Sequence, residues 1–237
     1  GANFDVTIND GSLSYVGLFG YVKDGTIENL SVSGNIIGNN FVGGIVGYLY
    51  TGTVQNVYNT ANIDAVGEQI GGIVGRKDSG KVVNTFNAGI VKGYKYVGGL
   101  IGYNDNSNND YFTNNYSFGQ VISTASGHAN GISHRYQGIY NYYDITQVAS
   151  TNAEDAYKPA YAIGTTNGLE TDKLLFATKE SLLFSDAWVF SGKSTSIAYY
   201  PQLKYFANST VTQIYNNIKE VTKVDVSLGI GWKWFNF

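Results

Sequence analysis

Eighteen carboxylates, two histidines and one run rich in Asn and Asp are the residues with which this 237-residue chain would hydrolyse a bond or hold a metal. Glycoside cleavage needs two acids facing each other across a substrate. In the register of the internal repeats set out below, Glu28 falls in line with Gln55 and Val83, and Asp64 falls opposite Ile37, so the acids do not stack. His128 and His134 stand six residues apart, a spacing that presents no ligand pair on one helix or strand, and the sequence reads them as surface or turn residues. No HExxH occurs. The segment NDNSNND (104 to 110) offers oxygens for Ca²⁺ through Asp105 and Asp110, but it lacks the Gly and distal Glu of a calcium loop and reads as a solvated insertion. The absence of Cys removes disulfides and thiolate metal sites. No Lys-Ser or Lys-Thr follows the Gly-rich phrases, so they are not phosphate loops. The reading is therefore no catalytic, cofactor or metal residue. What remains is tyrosine: Tyr48, Tyr50 and Tyr103 are the first candidates for a binding surface, because Tyr offers a large rigid contact area at low entropic cost.

Those residues sit in repeats. YVGLFG (15 to 20), VGGIVG (42 to 47), IGGIVG (70 to 75) and VGGLIG (97 to 102) are copies of one phrase, and their last glycines, Gly20, Gly47, Gly75 and Gly102, are 27, 28 and 27 residues apart. A second phrase keeps the register, with Asn29, Asn56, Asn84 and Asn114 as its turn residues. A worn fifth copy follows at 130 to 144, with Gly138 and Asn141 expected at its turn. The composition agrees: 30 Gly and 20 Tyr against 2 Pro suit a Gly-punctuated β protein, and a net charge of -3 gives no electrostatic footprint for nucleic acid.

A 27-residue unit of short apolar runs hides its apolar face only by stacking on the next unit. The expected fold is all-β, a parallel β-solenoid (β-helix) of about four to five 27–28-residue coils over residues 1–150, with a mixed α/β C-terminal cap over 151–237. Leu18, Ile45, Ile73 and Leu100 should form one apolar column, and Tyr15, Val42, Ile70 and Val97 another. The Asn column should adopt the left-handed conformation and hydrogen-bond from coil to coil. Tyr58, Phe86 and Tyr116 align and are expected to stack as a structural ladder. In the C-terminal third, short helices in 168 to 184, an amphipathic helix over 209 to 221 and an alternating strand ending in Trp232 and Trp234 are expected to close the far end of the rod.

GLFG, GGIVG and GGLIG followed by G-(T/K)-(I/V)-x-N resemble the GLUG repeats of bacterial secreted and cell-surface proteins, among them adhesin-like proteins and the non-catalytic part of immunoglobulin A protease relatives. The resemblance covers roughly residues 4 to 144, and DAWVF (186 to 190) with YYPQL (199 to 203) looks like the segment that often closes such arrays. It implies a non-catalytic module, secreted or at the bacterial cell surface, acting as stalk or adhesive surface for a host glycoprotein or glycan. Nucleic acid and membrane insertion are not expected, and flanking domains of a larger chain are. NFDVTIND (3 to 10) resembles the tail of an earlier coil, which implies continuation upstream. The alternative is a carbohydrate-active β-helix enzyme, a polysaccharide lyase or glycoside hydrolase.

Overall fold

The computed structural model describes residues 1–108, 111–125, 127–144, 147–150, 166–169, 182–190 and 200–206. The chain enters on β1 (Ala2–Asn9) and β2 (Phe19–Val22). The next coil is β3 (Thr26–Glu28), β4 (Leu30–Gly38), β5 (Val42–Gly43) and β6 (Val46–Leu49). Then come β7 (Thr53–Asn59), β8 (Asn62–Ala65), β9 (Glu68–Gly71) and β10 (Val74–Lys77). The following coil repeats them as β11 (Lys81–Asn87), β12 (Val91–Gly93), β13 (Lys95–Gly98) and β14 (Ile101–Asn104). After it come β15 (Phe112–Ser117), β16 (Val121–Ser123), β17 (Ala129–Asn130) and β18 (Ser133–Arg135). β19 (Ile139–Asp144), β20 (Val148–Ser150) and β21 (Thr166–Leu169) extend the stack.

Each strand pairs in parallel with its counterpart one coil away. The molecule is a parallel β-solenoid whose clearest column, β2-β6-β10-β14-β18, takes one strand from each of five coils in a 5-stranded sheet. β1 lies in parallel on β4 over its whole length, as a coil tail would.

The six-residue phrase makes the sharp bend between the β9 and β10 columns, and its glycines are there for want of space. A Cβ on Gly43, Gly71 or Gly98 would lie 2.2, 2.1 or 2.0 Å from the carbonyl oxygen of Val46, Val74 or Ile101. On Gly47, Gly75 or Gly102 it would meet the backbone around Tyr15, Val42 or Ile70 at 2.6, 2.5 and 2.3 Å. The bend also explains why the phrase is apolar at successive positions: Ile45 sits between two strands, so one alternating face does not run through it. Ile45, Ile73 and Leu100 are fully buried and bonded in sequence, Ile45 N–H to Ile73 O (3.1 Å) and Ile73 N–H to Leu100 O (2.8 Å), with Leu18 partly buried below them.

In the neighbouring column one expectation is corrected. Val16 and not Tyr15 bridges to Val42, and Val16 is buried while Tyr15 is exposed. From Val16 to Phe19 the first coil is one residue shorter than from Val42 to Val46, so aligning the glycines misplaces everything before them by one.

Asn29, Asn56, Asn84 and Asn114 all have positive φ (58°, 51°, 53° and 59°), and Asn84 Nδ2 donates to Asn56 Oδ1 at 3.3 Å. Asn adopts this conformation at less cost than most residues. In the worn copy Tyr140 takes the bend, at φ 52°, beside Gly138 at φ 64°. Asn141 is instead fully buried in β19, where its Oδ1 accepts from Asn115 Nδ2 at 2.8 Å. A second asparagine ladder runs inside the wall: Asn59 Nδ2 donates to Asn87 Oδ1 (2.8 Å), and the second glycine of each phrase, Gly44 or Gly72, leaves room for it.

One core position breaks the apolar rule. Lys77 pairs with Leu49 below and Asn104 above and is fully buried, its Nζ donating to Asn104 Oδ1 (3.0 Å) and to Asp78 O (3.4 Å). Burial pulls its pKa down from 10.5 to about 7, against a smaller upward pull from Asp78.

The described C-terminal segments 182–190 and 200–206 lie along the flank of the rod. Most of the 168 to 184 stretch expected to hold short helices, the helix expected over 209 to 221 and the strand ending in Trp232 and Trp234 lie outside the described residues. A hairpin of β22 (Trp188–Val189) and β23 (Gln202–Leu203) covers the outer face of β7, β11, β15 and β19. There Tyr58, Phe86 and Tyr116 stack at 4.7 and 5.2 Å, forming the expected ladder. Phe206 meets Tyr58 edge-on at 4.9 Å, Trp188 meets Tyr116 at 5.2 Å, and Tyr142 Oη donates to Leu182 O at 2.6 Å. At the end of the rod, β21 adds one more parallel strand to β19.

Three stability outcomes follow. At pH 7 Lys77→Met should leave stability within about 1 kcal/mol of wild type, because relief of the buried amine is offset by the acceptors it leaves on Asn104 and Asp78. Between about pH 7 and 10.5 the unfolded chain holds a proton on Lys77 that the folded chain does not, so wild-type stability should gain on the variant as pH rises through that window. Thermal melts of the two proteins at pH 7 and 10 check both points. Trp188→Ala should cost about 3–5 kcal/mol by emptying the flank core, measured by urea unfolding.

Candidate binding face

Opposite parities of one strand separate core from surface here: in β10 the side chain of Lys77 enters the core, so that of Arg76 points out. The pairing carries that position up the rod as Tyr21, Tyr48, Arg76, Tyr103 and His134. Beside it runs a second column, made of the residues just before each bend. Tyr15, Phe41, Gln69 and Tyr96 have positive φ of 60°, 55°, 66° and 52°, a geometry that turns the side chain out of the wall while the next residue turns in. His128 continues this column, since its carbonyl accepts from Val97 N–H at 2.9 Å.

The two columns form one face. Tyr15 stacks on Phe41 (4.8 Å) and Phe41 on Tyr48 (6.0 Å), while Tyr21 and Tyr50 meet Tyr48 edge-on at 5.3 and 6.3 Å. Further up, Tyr96 meets Tyr103 at 5.5 Å, and His134 lies 4.5 Å from Tyr96 and 5.7 Å from Tyr103. Between the two aromatic groups the Arg76 guanidinium lies 5.5 Å from the rings of both Tyr48 and Tyr103. Its charge is answered on the spot: Nε donates to Asp78 (2.8 Å), Nη2 to Asp105 (3.3 Å) and Nη1 to Gln69 (3.4 Å), and Asp105 also pairs with Arg135. Desolvation and the adjoining Asp78 carboxylate, which accepts from Tyr48 Oη at 2.6 Å, push the Tyr48 hydroxyl up to about 12.

Of the tyrosines expected to form a binding surface, Tyr48 is the hub on which others rest, and Tyr50 and Tyr103 lie on either side of Arg76. The most exposed aromatic residues of the face are Tyr15, Tyr21 and Tyr50. Tyr15, Gly20, Tyr21 and Tyr48 enclose a solvent-open cavity of about 480 Å³. Phe41, Gln69 and Tyr96 escape a reading that aligns Tyr15 with Val42; the signal that finds them is the seven-residue step from each to Tyr48, Arg76 and Tyr103.

The histidines lie on the outward columns of this face, where they are partly shielded from solvent. They pack half-buried side by side, ring centroids 5.8 Å apart, against Tyr96. Burial, with the neighbouring His128 adding to it, pulls His134 down to about 4, and burial likewise lowers His128.

Among the described acids, Asp78 and Asp105 meet on Arg76. Glu28 accepts from Gln55 at 2.6 Å, and Asp64 pairs with Lys92 at 2.9 Å on an exposed strand. Asp105 is engaged by two arginines, Asp110 lies outside the described residues, and among the described residues no three His, Cys, Asp or Glu converge as metal ligands. No described helix is long and apolar enough to cross a membrane.

Residues 38–64, from the end of β4 to β8, match the family model described as "The GLUG motif". No curated protein and no solved structure matches the chain.

Because His134 is neutral when folded down to about pH 4 and protonates near 6.5 when unfolded, it should cost stability as pH falls from 6.5 to 4. His134→Phe should flatten that part of the acid limb, as read by the melting temperature of the two proteins at pH 7, 5.5 and 4.5.

Proposed function

We propose, from the GLUG motif at residues 38–64 and the β-solenoid that carries it, that this chain is a non-catalytic module of an exported or cell-surface bacterial protein, and that it holds a partner on its aromatic face. The observation that carries this reading is the pair of aligned columns, Tyr15 to His128 and Tyr21 to His134, presented on a rigid rod with their charges paired internally. Such a face offers contact area that costs little entropy to order. Stalk and adhesive surface are then one object, since the same stacking that lengthens the rod lengthens the face. The two carboxylates that meet on this face, Asp78 and Asp105, are engaged by Arg76 and Arg135, which favours binding over glycan cleavage, a reaction that needs two acids facing one bond.

The test is a binding panel of host-type glycoproteins and polysaccharides, read with wild type and with Tyr21→Ala/Tyr50→Ala. Binding should fall with the variant and change little between low and physiological salt, because the face carries few unpaired charges. Release of reducing or unsaturated sugar ends, lost on Glu28→Gln or Asp64→Asn, would replace this reading with the enzyme alternative.

A further inference from the structure

The rod carries two aromatic ladders, and one of them is already occupied. Tyr58, Phe86, Tyr116 and Tyr142 are buried beneath the segments 182–190 and 200–206, and the chemistry of that contact is in view. Three of the covering aromatic side chains come in edge-on or tilted, Phe206 on Tyr58 at 87°, Trp188 on Tyr116 at 61° and Phe184 on Tyr142 at 68°, while Tyr200 lies flat on Phe118 at 3.9 Å. The tyrosine hydroxyls donate to main-chain carbonyls, Tyr116 to Pro201 O and Tyr142 to Leu182 O. Stacked rings spend their faces on one another and leave edges and hydroxyls to whatever covers them.

The face of Tyr15, Tyr21, Phe41 and Tyr48 has the same construction. Tyr15, Phe41 and Tyr48 lie within 21–22° of parallel, so the flat surfaces on which a sugar ring would rest are largely taken. Tyr21 and Tyr50 already show how an aromatic ring approaches this stack, at 89° and 88° to Tyr48. Beside these rings, Tyr15, Gly20, Tyr21 and Tyr48 line a shallow apolar depression open to solvent. The paired state of Arg76, Asp78, Asp105 and Arg135 leaves no net charge to call for an ionic ligand.

Resting on the binding role argued above, we infer that the ligand of this face is an extended, uncharged polypeptide segment with an aromatic anchor. The anchor settles in the depression lined by Tyr15, Tyr21 and Tyr48, and the segment's main-chain carbonyls accept from the exposed tyrosine hydroxyls, as Leu182 and Pro201 do on the other ladder.

A random 12-residue peptide library displayed on phage and selected on the full chain tests this, with a glycan array probed in parallel. Selected peptides should share one or two Trp, Phe or Tyr residues. The same peptides made synthetically should lose about tenfold or more in affinity on Tyr21→Ala/Tyr50→Ala, the scale of a buried aromatic anchor. Both positions are exposed, so the variant should melt with wild type, and Tyr50→Ala alone serves if it does not. Peptides that bind the variant equally well, or that carry no aromatic residue, overturn the inference. Glycans that bind wild type and not the variant, with no peptide selected, overturn it in favour of a sugar ligand and leave the binding role standing. No ligand of either kind dependent on Tyr21 or Tyr50 overturns both.

Discussion

Everything in this rod depends on how closely its backbone approaches itself at the bend of each coil. A chain that reverses between β9 and β10 within a few residues leaves no space for side chains there. Glycine at both ends of the phrase is what lets the carbonyl of Val74 and the backbone of Val42 come within 2.1 and 2.5 Å of where a Cβ would stand. Once the bend is fixed, the neighbouring positions have no freedom. Ile73 must point inward, Gln69 must turn outward through the left-handed region, and Arg76 must stand beside it. Repeating that geometry every 27 or 28 residues turns single residues into columns. The aromatic face is thus a by-product of the bend: two positions the glycines force outward, multiplied by the coils.

The coil period, the aliphatic column of Ile45, Ile73 and Leu100, the left-handed asparagines and the buried ladder of Tyr58, Phe86 and Tyr116 were all legible in the sequence, because each recurs in every copy and recurrence is what a stacked fold writes. What was not legible is what happens once. The one-residue shortening of the first coil hid Tyr15's place in the column of Tyr15, Phe41, Gln69 and Tyr96, and Gln69 interrupts the aromatic run that would have marked the other three. Lys77 gave no sign of lying in the core, because inward or outward depends on the parity after the bend. The second asparagine ladder, Asn59 on Asn87, resembles ordinary turn chemistry in a linear reading, and it becomes a core feature only when Gly44 and Gly72 are seen to open the space for it.

The site was half legible for the same reason. Tyr48, Tyr50 and Tyr103 could be picked out by type, but their division of labour could not. Tyr48 is tied to Asp78 and supports its neighbours, and the outermost rings belong to Tyr15, Tyr21 and Tyr50. Arg76 is what joins the lower aromatic group to the upper one, through cation–π contacts on both sides. Nothing in the linear sequence shows that two carboxylates neutralise it there. That neutralisation settles the character of the face, because an unanswered guanidinium at its centre would make it a site for anions.

The flank segment has a mechanical meaning. Coils of a solenoid are joined in series by hydrogen bonds along the axis, so tension applied to its ends would peel them apart one at a time. The segments 182–190 and 200–206 lie across the outside of the stack from Tyr142 to Tyr58, touching successive coils through Leu182, Ser185 on Asn84, Trp188 and Phe206. A strut fastened at several levels shares the load among them: no coil beneath it can separate until the aromatic contacts on both sides of the gap shear together. The rod therefore resists pulling as a unit of four coils, and its weak point under force lies where the strut does not reach.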